Sequence, residues 1–343
     1  MERFKNFIKS LYFLFGTIII LVVVLFSVLL YFNSNPTYFL ADKSVDEFWT
    51  PKDIVNDPLR NFIDPEVRYG FLLVSESPSQ MGPQAPDASM RYAGNNLKCT
   101  NCHLKNGTQA GSGSWVGVIN RFPQFRGRSN KIGTIEDRVN GCLERSMNGK
   151  KMPVDSKPMK AIVAYMEWLS EDVPKDKEAE YKGFPSIKLP NVAANVTTGK
   201  DIYNNQCMVC HGENGEGQRA ADFAQGYLYP PLWGEDSYNH GAGMHRVVTA
   251  AEFIKGNMPF GEATWDNPKL SDEEAYHVAA YINSFDRPLK SMPENDFPDK
   301  KLKPVSTPYG PWEDSFSAEQ HKYGPFPPII EFYKKKYNIA KTK

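Results

Sequence analysis

Cys99-Thr100-Asn101-Cys102-His103 and Cys207-Met208-Val209-Cys210-His211 decide how this chain folds. Two cysteines separated by two residues and followed at once by histidine place both thiols for thioether bonds to the vinyl groups of one haem, while the imidazole reaches its iron. Two such motifs predict two covalently bound haem c groups, attached through Cys99, Cys102, Cys207 and Cys210, with His103 and His211 as iron ligands. In an exported chain cysteines ordinarily suggest disulfides, but this spacing assigns four of the five to haem and leaves Cys142 over.

Outward from the motifs, the chain repeats itself. Met159–Leu169 carries apolar residues at helical intervals and contains Ala164-Tyr165; Glu274–Ile282 does the same with Ala280-Tyr281. A haem motif at the front and such a helix at the back outline a class I cytochrome c domain, which the chain resembles twice. The reading is mainly α: a first domain over 33–172, a linker rich in Pro, Lys, Asp and Glu over 173–195, a second domain over 196–290, and a Pro-, aromatic- and Lys-rich extension over 291–343. That extension is expected to wrap the second domain, the alternative being a mobile tail. The stretch ahead of Pro86 gives no legible fold.

Residues 11–32 contain no charge and are long enough to cross a bilayer as one helix. Lys5 and Lys9 precede them, so residues 1–10 are expected in the cytoplasm and the body in the periplasm, a single-pass inner-membrane protein. A cleaved signal is the competing reading, but its apolar core would run to only about 7–15 residues. The 343 residues carry 40 Lys plus Arg against 40 Asp plus Glu, which gives no global charge to draw a nucleic acid.

The distal iron ligands are where function is decided. In the second copy Met258-Pro259 lies 23 residues before Tyr281, and Met258 is the expected ligand; Met244, His240, His245 and Lys255 compete. Counting the same 23 residues back from Tyr165 reaches Cys142, with Met152-Pro153 the alternative. Thr134 and Asp137 resemble a capping box for a helix over 135–148, on which Arg138, Cys142 and Arg145 share a face. With Arg121, Arg126, Arg128, Lys131, Lys150 and Lys151 nearby, the thiol is expected to ionise readily and the site to attract a small dianion. Some of these arginines are alternatively partners for haem propionates.

Ala93-Gly94-Asn95-Asn96-Leu97, Phe122-Pro123-Gln124-Phe125-Arg126-Gly127-Arg128 and, above all, Ile135–Lys150 resemble the dihaem thiosulfate dehydrogenases that form tetrathionate. The resemblance covers roughly residues 45–290. It implies that the first haem is catalytic with His103/Cys142 ligation, that Cys142 also accepts sulfur, and that the second haem passes electrons to an external c-type cytochrome. Arg128, Arg138 and Arg145 would screen two thiosulfate dianions from each other and orient them. Some members of that family place lysine before the distal methionine; Asn257 stands there in this chain, which favours stable His211/Met258 ligation. The rival expectation is a membrane-anchored electron carrier or oxidase subunit without chemistry of its own, which has no need of a reactive thiolate beside arginines.

Overall fold

The computed structural model describes residues 1–34 and 49–341. Eight helices of eleven residues or more carry the fold: α1 (Glu2–Ser34), α2 (Pro65–Ser75), α3 (Ile135–Arg145), α4 (Lys157–Trp168), α5 (Val196–Gln206), α6 (Val247–Asn257), α7 (Asp272–Ile282) and α8 (Pro327–Tyr337). Among the described residues strand is confined to two short antiparallel hairpins, β1 (Gln124–Arg126) with β2 (Lys131–Gly133) and β3 (Gln218–Arg219) with β4 (Tyr227–Tyr229). The N-terminal part, residues 1–50, and the body, residues 51–343, are separate compact units.

The candidate span in α1 runs from Glu2 to Tyr31 and includes an 18-residue window of mean hydropathy 3.1, long and apolar enough for a membrane span and equally compatible with a signal sequence. Residues 35–48, at the start of the expected first domain, lie outside those described.

In the body, local chemistry sets the helix starts. Asp64 caps α2, its carboxylate accepting from Glu66 N–H at 2.6 Å, and Pro65 occupies the first turn where no donor is missed. These are helix signals inside the stretch that the sequence left unread. Thr134 and Asp137 form the expected reciprocal box on α3, and Ser271 with Glu274 forms one on α7. α3 stops at Arg145, three residues short of expectation. Asn148 turns left-handed (φ 47°) and Gly149 N–H reaches back to Leu143 C=O at 2.8 Å, which closes the helix early.

Two hydrophobic cores sit side by side. The first gathers Leu73, Met81, Leu97, Trp115, Leu143, Ile162 and Tyr165; the second gathers Tyr203, Val248, Ala251, Tyr276, Ala279 and Ala280. Phe326, Ile329 and Tyr333 of the C-terminal extension belong to the second core, so the extension is packed and does not trail.

The duplication is visible in how each core closes. α2 crosses α4 at Gly70, where an added Cβ would lie 1.9 Å from Ala161 O and 2.9 Å from Tyr165 Cβ. α5 crosses α7 at Gly199, where it would lie 2.1 Å from His277 O and 2.8 Å from Tyr281 Cβ. Each crossing therefore brings backbone against backbone beside the tyrosine that served as the repeat marker.

The halves are joined by asparagines. Asn95 donates to Ser146 O at 3.0 Å and Ser237 O at 3.1 Å. Asn239, 1% exposed, donates from its side chain to Glu144 O at 2.8 Å and from its backbone to Arg145 O at 3.1 Å. The carbonyls left over at the end of α3 are thus capped by the other half of the molecule.

Gly70→Ala and Gly199→Ala are each expected to destabilise the body by about 2–3 kcal/mol, the upper part of the overpacking range, because the obstructing atoms are backbone. Denaturant unfolding of the two variants measures this, and a loss under about 0.5 kcal/mol would contradict such close crossings.

Candidate active site

His103 opens the site. Its Nδ1 lies 2.8 Å from Gly113 O, and since a carbonyl only accepts, Nδ1 carries a proton and Nε2 is the nitrogen that can turn to a metal. His211 repeats the arrangement, its Nδ1 lying 2.8 Å from Pro230 O. Beyond His103 a largely apolar cavity is lined by Cys99, Cys102, Trp115, Val139, Leu143 and Met166, and is closed by Tyr238 and Met244 from the second half of the chain.

Cys142 points into this cavity from α3. Its thiol is in hydrogen-bond contact with the His103 side chain and accepts from Arg138 Nη1 at 3.2 Å. Burial works to raise the pKa of this thiol, but Arg138, His103 and Arg145 together outweigh it and bring it down to about 6. Before haem is attached the motif cysteines behave oppositely: burial pushes Cys99 up to about 11 and Cys102 and Cys207 up to about 12. Met152, the alternative ligand, is 1% exposed in the first core, and its backbone is clamped from both sides by the Asn140 amide.

Arginines gather behind the thiol. Arg145, driven down to about 10 mainly by burial, feels Arg128, Cys142, Asp296 and Arg138. Arg126 shares the field of Arg138, Cys142 and Arg128. Arg246 is likewise lowered to about 10 by burial, beside Arg128 and Arg138. Arg128 differs from the others grouped with it in sequence: it is ion-paired with Asp296 and lies 3.2 Å from the Tyr309 hydroxyl.

This surround fits haem. The cavity offers a thiol pair, an imidazole with a free nitrogen and apolar walls, while the buried Nε atoms of Arg246 and Arg287 have no hydrogen-bond partner. A buried guanidinium donor left open is chemically suited to a haem carboxylate.

At the second motif, Met258 follows directly on α6 and packs against the second core. Of the competing ligands, Lys255 and His240 have side-chain nitrogens already taken. Met244 lines the first cavity, Lys255 is ion-paired with Asp272, His245 Nδ1 is 2.9 Å from His240 O, and His240 Nδ1 accepts from Lys290 N–H at 2.8 Å. Asn257 is fully buried, donating to Gly111 O and Phe253 O at 2.8 and 2.9 Å and accepting from Gln109 at 2.8 Å. It ties the end of α6 to the loop behind His103.

A protein named thiosulfate dehydrogenase from Allochromatium vinosum is 40% identical over 231 residues, which are 66% of this chain and 80% of that one. The chain belongs to the thiosulfate dehydrogenase family. A second family member, from Stutzerimonas stutzeri, is 45% identical over 57% of this chain and 62% of its own length. The first two curated relatives are in fact matched over only about three-fifths of their length. Among solved structures, the as-isolated thiosulfate dehydrogenase (TsdBA) of Marichromatium purpuratum superposes with TM-score 0.61 at 32% identity, covering 71% of this chain and 50% of that one. The family described as SoxA/TsdA, cytochrome c domain matches residues 90–174, and that described as cytochrome c matches 196–286. This family member therefore carries two c-type haems, and residues 287–343 lie outside both matches.

Tyr238, Asn239, Met244, Arg246, Asp296 and Tyr309 were not singled out from sequence as parts of this site. They lie 96 or more residues from Cys142, and no motif marks them.

Arg138→Ala is expected to move the ionisation of Cys142 upward from about 6 toward the ordinary value near 8.5. Thiolate exists above that pKa and is lost as pH falls through it, so in the haem-free chain the pH at which Cys142 begins to react with iodoacetamide should rise in the variant. An unshifted transition would show that Arg138 does not set the charge of this sulfur.

Proposed function

We propose that this protein oxidises two thiosulfate anions to one tetrathionate, releasing two electrons, and that Cys142 forms and breaks the sulfur–sulfur bond. The observation that carries the reading is the low-pKa thiol facing His103, with Arg138 3.2 Å away and Arg145 in its field. A thiolate in a ring of guanidinium groups is a nucleophile placed where dianions collect.

The sulfane sulfur of one thiosulfate joins the Cys142 sulfur as two electrons leave. The second thiosulfate attacks that sulfane sulfur, the new S–S bond of tetrathionate forms, and Cys142 departs as thiolate. No proton is needed in either step. When bound, the haems supply one-electron acceptors that take the pair, with Cys99, Cys102, His103 and Cys142 holding the first and Cys207, Cys210, His211 and Met258 the second. Arg138 and Arg145 offset the repulsion between the two dianions and hold their sulfane ends toward Cys142. The same steps run backward as tetrathionate reduction, the direction being set by potentials. A c-type cytochrome receives or supplies the electrons.

We further place the body in the periplasm on a single-pass anchor formed by α1, on the strength of its uncharged core and of Lys5 and Lys9 before it. The class I cytochrome domains are assigned to 33–172 and 196–290, joined by the 173–195 linker.

Cys142→Gly should abolish tetrathionate formation, a loss of at least about a thousandfold of the kind expected when a nucleophile is removed, while both haems remain attached by pyridine haemochrome assay. Retained turnover would sink the role of Cys142. Met258→Ala should lower the reduction potential of the second haem with the first unchanged, since a thioether opposite histidine raises potential; redox titration followed by absorbance decides this.

A further inference from the structure

The C-terminal extension inserts one carboxylate into the arginine cluster. Asp296 is 6% exposed, pairs with Arg128, lies 3.6 Å from Lys290 Nζ and accepts from the Tyr309 hydroxyl at 3.0 Å. Arg145 lies in its field as well, and these cations hold its carboxyl below the usual range although burial works the other way.

A purely structural latch does not require this pair. Phe297 N–H already bonds Arg128 O at 2.8 Å, and the Phe297 ring lies under the Arg128 guanidinium at 4.8 Å. A buried ion pair is in any case a weak source of stability compared with an apolar replacement. What Asp296 does alter is charge: Arg126, Arg128, Arg138, Arg145 and Arg246 share one neighbourhood, and Asp296 cancels one unit of it on the Arg128 side.

We propose that Asp296, delivered by the C-terminal extension, sets how tightly the arginine cluster beside Cys142 grips dianions, by neutralising Arg128. The benefit of that restraint rests on the thiosulfate reading given above. Two dianions must be gathered, and the product leaving the site is itself a dianion; a cluster with every guanidinium unanswered would hold both too firmly, and binding product as tightly as reactants does not speed turnover. Asp296 is a positioning and specificity residue here, acting through Arg128 and Arg145 and not touching the sulfur.

The test uses the haem-loaded full chain and inorganic sulfate, an unreactive dianion, titrated by calorimetry at several salt concentrations. Asp296→Asn should bind sulfate about tenfold or more tighter, with a steeper salt dependence, because one unit of positive charge is uncovered at a partly desolvated site. Asp296→Glu, which keeps the charge, should return affinity toward wild type. Where the Asn variant does not fold, Arg128→Gln serves instead: it leaves the carboxylate uncompensated and should weaken sulfate, and adding Asp296→Asn to it should restore wild-type affinity. Unchanged or weaker binding in Asp296→Asn, or no restoration in the double variant, would overturn the proposal and leave Asp296 as a latch. Tighter sulfate binding in a protein that makes no tetrathionate would instead overturn the proposed reaction and leave the role of Asp296 standing.

Discussion

A guanidinium removed from water must be answered by an anion, and the body of this protein is arranged around that constraint. Arg145 and Arg246 are pushed down to about 10 mainly by burial. The answers come from three sources: the Cys142 thiolate, the carboxylate of Asp296, and the haem carboxylates toward which the open Nε atoms of Arg246 and Arg287 are suited. Arg145 with Cys142, Arg246, and Asp296 come from three different stretches of chain, so the site exists only once both halves and the extension have come together. The depressed pKa of Cys142 is the other side of the same balance, since the cations that need an anion are those that keep the sulfur charged.

Much of this was legible in sequence because it was local. The two haem motifs, the box of Thr134 with Asp137, and the shared face of Arg138, Cys142 and Arg145 all lie within a few residues of one another, where fixed spacings carry the information. The count of 23 residues back from Tyr165 and Tyr281 to Cys142 and Met258 starts from tyrosines that mark equivalent crossings at Gly70 and Gly199.

What sequence did not give was set by long-range packing. α2 was overlooked although Asp64 and Pro65 announce it, because its apolar residues are interrupted and no haem motif lies close by. α3 ends three residues before the expected stop, at the left-handed turn of Asn148 that Asn239, some ninety residues further on, holds by bonding Glu144 O and Asn148 Oδ1. Arg128 was grouped with Arg138 and Arg145 by proximity in sequence, yet Asp296 and Tyr309 claim its guanidinium. The extension itself read only as a wrapping segment, and nothing in its composition announced that Asp296 would enter the site.

The crossings at Gly70 and Gly199 bear on how such a protein diverges. Each is made of backbone and a tyrosine Cβ, and neither asks anything of the residue opposite the proximal histidine. After a duplication, one copy could exchange that residue and take up new chemistry while its twin kept an older duty, with the architecture of both untouched. Innovation and inheritance are in this sense written in separate parts of each repeat.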